Sequence, residues 1–443
     1  MPPGGDGYSL QRAGETTVEA ARRIGLELDG NVLAIQGPPG TGKTYTGAHV
    51  ICALVRAGLK VGVTAVSHKV IVNVLEAAAK QMREHGHRLS IVHCDEGKYA
   101  GAWGIERSKD YETIRTGLDD GTIDVVGGTA WCWARPDFEQ SVDVLIVDEA
   151  GQMSLANVLA TAQAARSLVL LGDPQQLEQP LQSSHPEGSE VSALYHVLNG
   201  EATIPSDKGL FLAETWRLHP DIAKFTSEVY YDRKVGSRPG LEWQAILTKD
   251  GGGDSLYAEC IGSGLRYLPV PHSGNRARSA EEVATIRGLV DHLLTRCQWR
   301  DRNDVERPLE VGDILVVAPY NAQVSALIEA LPLLADRIGT VDRFQGQEAP
   351  VVIYSMTSSS PEDAPRGMEF LYNRFRFNVA TSRAKALCIL VGSPLLFRPE
   401  CRTPKQMKMA NGFCRYRELA RELCENDRTG RLIQSRREGL TSA

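Results

Sequence analysis

Two stretches of this 443-residue chain carry residue types whose spacing could do chemistry together. The first is GPPGTGKT, residues 37–44. The loop Gly37, Pro38, Pro39, Gly40, Thr41 and Gly42 follows an apolar run and opens a helical pattern. Its backbone N–H groups and the helix N-terminus would cradle phosphate oxygens. Lys43 would reach the β- and γ-phosphates of a nucleoside triphosphate, and the Thr44 hydroxyl would bind Mg²⁺. The second stretch is VLIVDEAGQ, residues 144–152. Asp148 ends four apolar strand residues and supplies a hard oxygen for the same ion. Glu149 follows at once and could orient or deprotonate an attacking water. Surface charge is the bland reading of any Asp-Glu pair, and the apolar strand in front of this one argues against it. The two stretches together predict that the nucleotide is hydrolysed.

Three further groups bear on that hydrolysis. Gln176, in LLGDPQQLEQP (170–180), lies at another strand end and could meet the γ-phosphate or the water. Arg217, in LAETWRLHP (212–220), and Arg383, in RFRFNVATSRAK (374–385), could stabilise the charge of the transferring phosphoryl group. Each taken alone reads as ordinary loop polarity or a solvated side chain. Their placement after a phosphate loop and a metal strand raises the functional reading.

The elements that must position these residues are short apolar runs alternating with helical patterns: residues 31–37, 61–66, 123–129, 142–150 and 167–173, then 314–320, 349–357 and 386–392. Ala48, Ile51, Cys52 and Val55 share one helical face between the first two runs. Continuous apolar strands alternating with helices predict an α/β fold with parallel sheets buried on both faces. The runs form two groups, so two tandem sheets are expected. The predicted seam is the polar, turn-rich stretch 199–209, giving domains 1–205 and 206–443, with a short insertion at about 77–124 in the first. TKDGGGDS (248–255) reads as a loop tip, and the tail past Arg421 as frayed.

Composition narrows the class. A formal net charge of −6 argues against a protein that coats duplex nucleic acid and leaves room for a local groove. Nine scattered cysteines without CxxC spacing suggest reduced thiols, and with neither a signal pattern nor a membrane-length apolar run a cytoplasmic location is expected.

The motifs GPPGTGKT, VTAVSHKVIVNVLE, DEAGQ, GDPQQL, TWRLHP, VVAPYNAQV, GTVDRFQGQE and NVATSRAK occur in this order from residue 35 to about 392. In this the chain resembles a superfamily 1 helicase of the 5′→3′ group that includes the nonsense-mediated-decay RNA helicases and related DNA helicases. It is most similar to the helicase half of bacterial proteins that fuse a RecB-like nuclease to such a motor. The resemblance implies two RecA-like domains, with ATP and Mg²⁺ in the cleft between them. Lys43, Thr44, Asp148, Glu149 and Gln176 would come from the first domain, and Arg217 and Arg383 would be arginine fingers from the second. Gln345, Gly346 and Glu348 would line the nucleotide from the second domain. It also implies single-stranded nucleic acid, DNA favoured over RNA, crossing Ser67, His68, Thr129, Pro319, Tyr320 and Gln323.

Each of these contacts has a bland counterpart: His68 as a helix cap, Tyr320 as domain packing. The tryptophans of WCW (131–133) could stack on bases or fill the core. The sequence departs from the family pattern in lacking the adenine-reading glutamine before the phosphate loop, in carrying Trp216 for a tyrosine, and in carrying Phe375 where an arginine is common. The first departure predicts loose base selectivity. No nuclease region is visible, so the chain is expected to be the motor alone or a fragment, with a nuclease domain or subunit as a partner. A nucleotide-gated scaffold that binds without moving is the competing class. Intact Glu149 and two arginines weigh against it. A small-molecule kinase would leave the second group of motifs without purpose.

Overall fold

The computed structural model describes residues 9–96, 103–177, 191–249, 257, 260–344 and 346–422. The chain forms two compact units, one of Met1–Pro239 with Arg374–Ser382 and one of Gly240–Asn373 with Arg383–Ala443.

The first unit is built on β1 (Val32–Gln36), β2 (Val61–Thr64), β3 (Ile91–His93), β4 (Glu106–Arg107), β5 (Val125–Gly127), β6 (Val142–Val147), β7 (Ala165–Gly172) and β8 (Gly209–Phe211). These lie in the order β4-β3-β5-β2-β6-β7-β1-β8, and every pairing is parallel. Alternate residues of each strand enter different cores. Leu33, Ile35, Val61, Val63, Val144 and Ile146 pack with Ile51, Leu54 and Leu75. Ala34, Leu145, Val147 and Leu170 pack with Trp133, Phe138 and Leu194. Both faces are covered, which is why the strands read as unbroken apolar runs. A small parallel pair, β9 (Glu214–Thr215) and β10 (Gly236–Ser237), completes the unit's strands among the described residues.

The second unit carries an antiparallel ribbon of β11 (Ala245–Thr248), β13 (Cys297–Arg300) and β14 (Glu306–Pro308). Its main sheet contains β12 (Gly264–Pro269), β15 (Ile314–Val317), β16 (Ile338–Gly339), β17 (Ala349–Ser355), β18 (Ala384–Gly392) and β19 (Arg421–Glu422). The order is β16-β15-β17-β18-β12-β19, again parallel throughout. Val316, Ile353, Ile389 and Val391 pack with Leu289, Leu293 and Leu327. The two RecA-like domains expected from the motifs are therefore present as two parallel sheets flanked by helices.

The boundary differs from the expected one. Residues 199–209 lead into β8, whose Gly209, Leu210 and Phe211 pair with β1, so the first sheet continues past residue 205 and its unit runs to Pro239. The expected insertion at 77–124 is not a separate piece. It supplies the end of the helix His68–Glu84, the edge strands β3 and β4, and the helix Tyr111–Asp119. Of the loop 248–255, only residues 248 and 249 are described, and the tail beyond residue 422 lies outside the described residues. Among the described residues, no helix is long and apolar enough to cross a membrane. Among the described residues eight cysteines are free thiols, six of them buried.

Candidate nucleotide and strand-binding sites

The phosphate loop hangs between β1 and the helix Lys43–Arg56. Gln36, fully buried at the end of β1, accepts from the Ile204 N–H at 2.7 Å and donates to the Ala202 carbonyl at 3.0 Å. Gly37 N donates to the Gly172 carbonyl at 2.9 Å. Thr41 Oγ1 donates to the Pro38 carbonyl at 2.8 Å, closing the turn from within. Gly40 has φ +73°, and a Cβ there would lie 2.6 Å from Arg217 Cβ and 2.7 Å from Thr215 Oγ1. Only glycine fits that conformation and that space. Gly42, also left-handed, precedes the helix without a side-chain cap, and Lys43 Nζ donates back to the Gly37 carbonyl at 2.7 Å.

Asp148 follows β6 and is almost fully buried; its Oδ1 accepts from Glu149 N at 2.9 Å. Burial, and then the neighbouring Glu149 charge, push its carboxyl up to about 7, while Lys43 pulls the other way. A buried acid on which the Lys43 ammonium acts is a setting that a hard divalent ion would complete, and Asp148 fits Mg²⁺ on that ground. Glu149 is held at φ +53°, a left-handed conformation that a non-glycine residue adopts only under constraint. Gln152 Nε2 donates to its Oε2 at 3.2 Å, and Ala150 N ties the turn to the Leu171 carbonyl at 2.8 Å.

At the end of β7 the structure adds residues that the motifs did not single out. Asp173 is buried, and its Oδ2 accepts from Gln176 Nε2 at 2.8 Å and from the Tyr231 hydroxyl at 2.6 Å. Asn378 Nδ2 donates to that hydroxyl at 2.9 Å and to the Gln175 carbonyl at 2.8 Å. Burial raises the Asp173 carboxyl, with Lys43 the first of the groups opposing it. Gln176 is thus held in a buried network rather than in an open loop. Asp173 stands in the motif GDPQQL and Asn378 opens NVATSRAK, though neither was singled out, whereas Tyr231 lies in none of the motifs.

Arg217 sits in the first unit, not the second as expected. Trp216 N donates to the Gly40 carbonyl at 2.8 Å, and Thr215 Oγ1 donates to that of Pro39 at 3.1 Å, so its segment is bound to the phosphate loop itself. Arg217 Nη1 donates to the Ser382 carbonyl at 3.3 Å. Trp216 is half-exposed and stacks under the Arg238 guanidinium at 3.6 Å. Arg383 belongs to the second unit, where it is buried and donates to the Gln347 carbonyl at 3.4 Å.

Along the strand ends of the first sheet, Ser67 rather than His68 caps the helix His68–Glu84: its Oγ accepts from Val70 N at 3.4 Å. His68 is left half-exposed, with Nδ1 3.0 Å from His93 Nε2. Thr129 is partly exposed after β5. The WCW pair divides. Trp133 is fully buried and donates from Nε1 to the Val63 carbonyl at 3.1 Å, whereas Trp131 is 88% exposed.

The second unit corrects three expected strand contacts. Pro319, Tyr320 and Gln323 are all buried. Tyr320 packs on Phe370 with ring centres 5.5 Å apart. Gln323 accepts from Ser279 N at 2.8 Å and donates to Ser355 Oγ at 3.0 Å. The Gln323 amide serves the interior, the Tyr320 ring is packed away, and none of the three is exposed. Gly346 is exposed with φ +79°, and Glu348 pairs with Lys385 at 2.8 Å. Gln345 lies outside the described residues.

Comparison with known proteins bears on the family of the chain. Two AAA domain families match, over residues 18–184 and 192–395. The DNA replication ATP-dependent helicase/nuclease JHS1 of Arabidopsis thaliana is 24% identical over 403 residues, covering 85% of this chain and 28% of that protein. The DNA polymerase alpha-associated DNA helicase A of Schizosaccharomyces pombe is 24% identical over 408 residues, covering 80% of this chain and 60% of that protein. The human RNA helicase Mov10l1 is 29% identical over 290 residues, covering 58% of this chain and 23% of that protein. The chain therefore spans only part of the length of each of these three relatives. Both halves of the chain thus match AAA domain families, and the chain is similar along most of its length to proteins named as helicases.

Proposed function

We propose that this chain is an ATP-driven motor that moves on single-stranded nucleic acid, 5′→3′, with DNA as the favoured track. The observation that carries the reading is the pairing of Lys43, on its glycine loop, with buried Asp148 and constrained Glu149 at the neighbouring strand ends. Glycine-loop N–H groups and Lys43 Nζ hold the phosphates, the latter leaving the Gly37 carbonyl to do so. Thr44 and Asp148 would hold Mg²⁺, which would supply positive charge at the phosphate oxygens. Glu149, steadied by Gln152, takes a proton from the attacking water as the water oxygen bonds to the γ-phosphorus and the bridging oxygen leaves with ADP. Gln176 orients that water or the phosphate from its network with Asp173. Arg217 stabilises the developing charge from beside Gly40, and Arg383 is the second such arginine by its motif position. Gly346 and Glu348 are proposed nucleotide-lining groups on the same ground, as is Gln345.

Ser67, His68 and Thr129 form the proposed strand contact on the first unit, and exposed Trp131 adds a stacking face. Absence of the adenine-reading glutamine supports loose base selectivity. A nuclease partner, in the cytoplasm, is the proposed setting, drawn from the helicase/nuclease named among the relatives. The test is steady-state ATP hydrolysis alone, with single-stranded DNA, and with single-stranded RNA, each beside Lys43→Ala. Stimulation by DNA that is lost in the variant supports the motor. Stimulation by RNA alone moves the track to RNA, as in the human relative's name. Hydrolysis indifferent to both polymers overturns the motor in favour of a gated scaffold.

A further inference from the structure

Away from the nucleotide site, three metal-ligating side chains converge at the ends of β2 and β3. His68 is the first residue of the helix that follows β2, His93 is the last residue of β3, and Asp95 lies two residues beyond. His68 Nδ1 is 3.0 Å from His93 Nε2 and 4.0 Å from an Asp95 carboxylate oxygen, and the three ligand atoms lie within 4.8 Å of one another. His93 is 1% exposed, and its other ring nitrogen has no hydrogen-bond partner among the described residues. Its backbone is fixed on both sides, paired to Arg107 in β4 and to Gly127 in β5, and its carbonyl accepts from Asp95 N and Ser108 N.

The difficulty of this arrangement is one of protons. His68 Nδ1 can carry one hydrogen, and both of its neighbours are acceptors unless His93 Nε2 carries another. Two imidazole nitrogens and a carboxylate oxygen thus gather three potential ligand atoms within 4.8 Å of one another. A divalent cation would satisfy all three at once. Bonds of about 2.0–2.1 Å place neighbouring ligand atoms about 3 to 3.4 Å apart. The 3.0 Å separation of the two imidazole nitrogens already fits, and the carboxylate oxygen, 4.0 Å from His68 Nδ1, would swing inward. Two imidazoles and one carboxylate favour zinc and its transition-metal neighbours over magnesium or calcium.

We infer that His68 Nδ1, His93 Nε2 and the Asp95 carboxylate form a site for one divalent transition-metal ion of the zinc class. The ion would tie the start of the helix His68–Glu84 to the end of β3 across β5. His93 is the buried, fixed ligand, and His68 and Asp95, 45% and 21% exposed at their side chains, close on it from the solvent side. His68 is shared with the proposed strand contact, but no nucleotide or nucleic acid enters the test below, so the two readings fail separately.

The experiment is calorimetric titration of Zn²⁺ into the full chain without nucleotide, with Co²⁺ absorption as the reporter of ligand type. One ion per chain is expected, with a Co²⁺ spectrum of nitrogen and oxygen ligands and no thiolate charge-transfer band. His68→Ala and Asp95→Asn, both at partly exposed positions, are expected to keep the parental melting curve in chelator and each to lower Zn²⁺ affinity at least about tenfold. Failure of the parent chain to bind Zn²⁺ overturns the site. So does binding equal to the parent's in either variant. A thiolate band also overturns it, because the ion would then sit on cysteines such as Cys401 or Cys414, the two thiols that are not buried among those described.

Discussion

The strand-end rims of the two sheets begin from the same sequence cue, an apolar parallel strand running into polar residues, and they end differently. On the first sheet, Lys43, Thr44 and Glu149 stay partly open, and Lys43 Nζ donates to the Gly37 carbonyl alone among the described residues. On the second, β15 runs into Pro319, Tyr320 and Gln323, and all three turn inward. Gln323 is fully engaged by Ser279 and Ser355, and Ser355 in turn donates to buried Glu282, which also accepts from His272. A polar residue at a strand end is available for chemistry when the interior does not already use its atoms. Where it does, the same residue is scaffold.

The sharpest way to break this comparison is to attack the open rim. Glu149→Gln is expected to lower ATP turnover by about 10²- to 10⁴-fold while nucleotide still binds, as measured by single-turnover hydrolysis beside a fluorescent-nucleotide titration. Lys43→Ala should cost about 10²- to 10³-fold in turnover and weaken nucleotide binding as well, read by the same pair of assays. Replacing exposed Trp131 with Ala should weaken single-strand affinity by about 1–3 kcal/mol if one base stacks there. The same change should move stability by no more than about 0.5 kcal/mol in a denaturant melt.

The closed rim should answer in stability rather than in rate. Gln323→Ala strands the Ser279 N–H in the interior, and a loss of about 1–3 kcal/mol is expected in urea unfolding. A variant with slowed ATP turnover at undiminished stability would place Gln323 in the site after all. Tyr231→Phe removes the donor to Asp173 and the acceptor for Asn378, with an expected cost of about 1 kcal/mol by the same measurement. A change in turnover without one in stability would show that the network positions Gln176 instead.

What could be read from the sequence follows the range of the interactions. Phosphate loop, acid pair and strand runs are contiguous patterns, and the structure sets Gly37–Thr44, Asp148 and Glu149 at the ends of the strands that the apolar runs predicted. Tyr231 and Asn378 reach Asp173 and Gln175 from 58 and 203 residues away, and no local pattern announces such partners. The seam was misplaced for a related reason. Turn-rich polarity at 199–209 marks a loop, and only the pairing of β8 with β1 shows that the loop lies inside a sheet. The tryptophans of WCW show the limit of composition: two residues apart and chemically alike, one fills the core and the other faces solvent.

The helix Arg374–Thr381 has a consequence for how this molecule could be cut or rebuilt. It belongs to the first unit, yet the chain on either side of it belongs to the second, so the polypeptide passes from one unit to the other after Pro239, Asn373 and Ser382. No single scission can release either unit whole. A fragment ending at Pro239 would keep every strand of its own sheet but lose Asn378, leaving the Gln175 carbonyl and the Tyr231 hydroxyl without that donor. A minimal first unit would have to be a permuted chain, with 374–382 stitched on behind 239 by a linker, and inheritance of the two units as separable modules would have required the same splice.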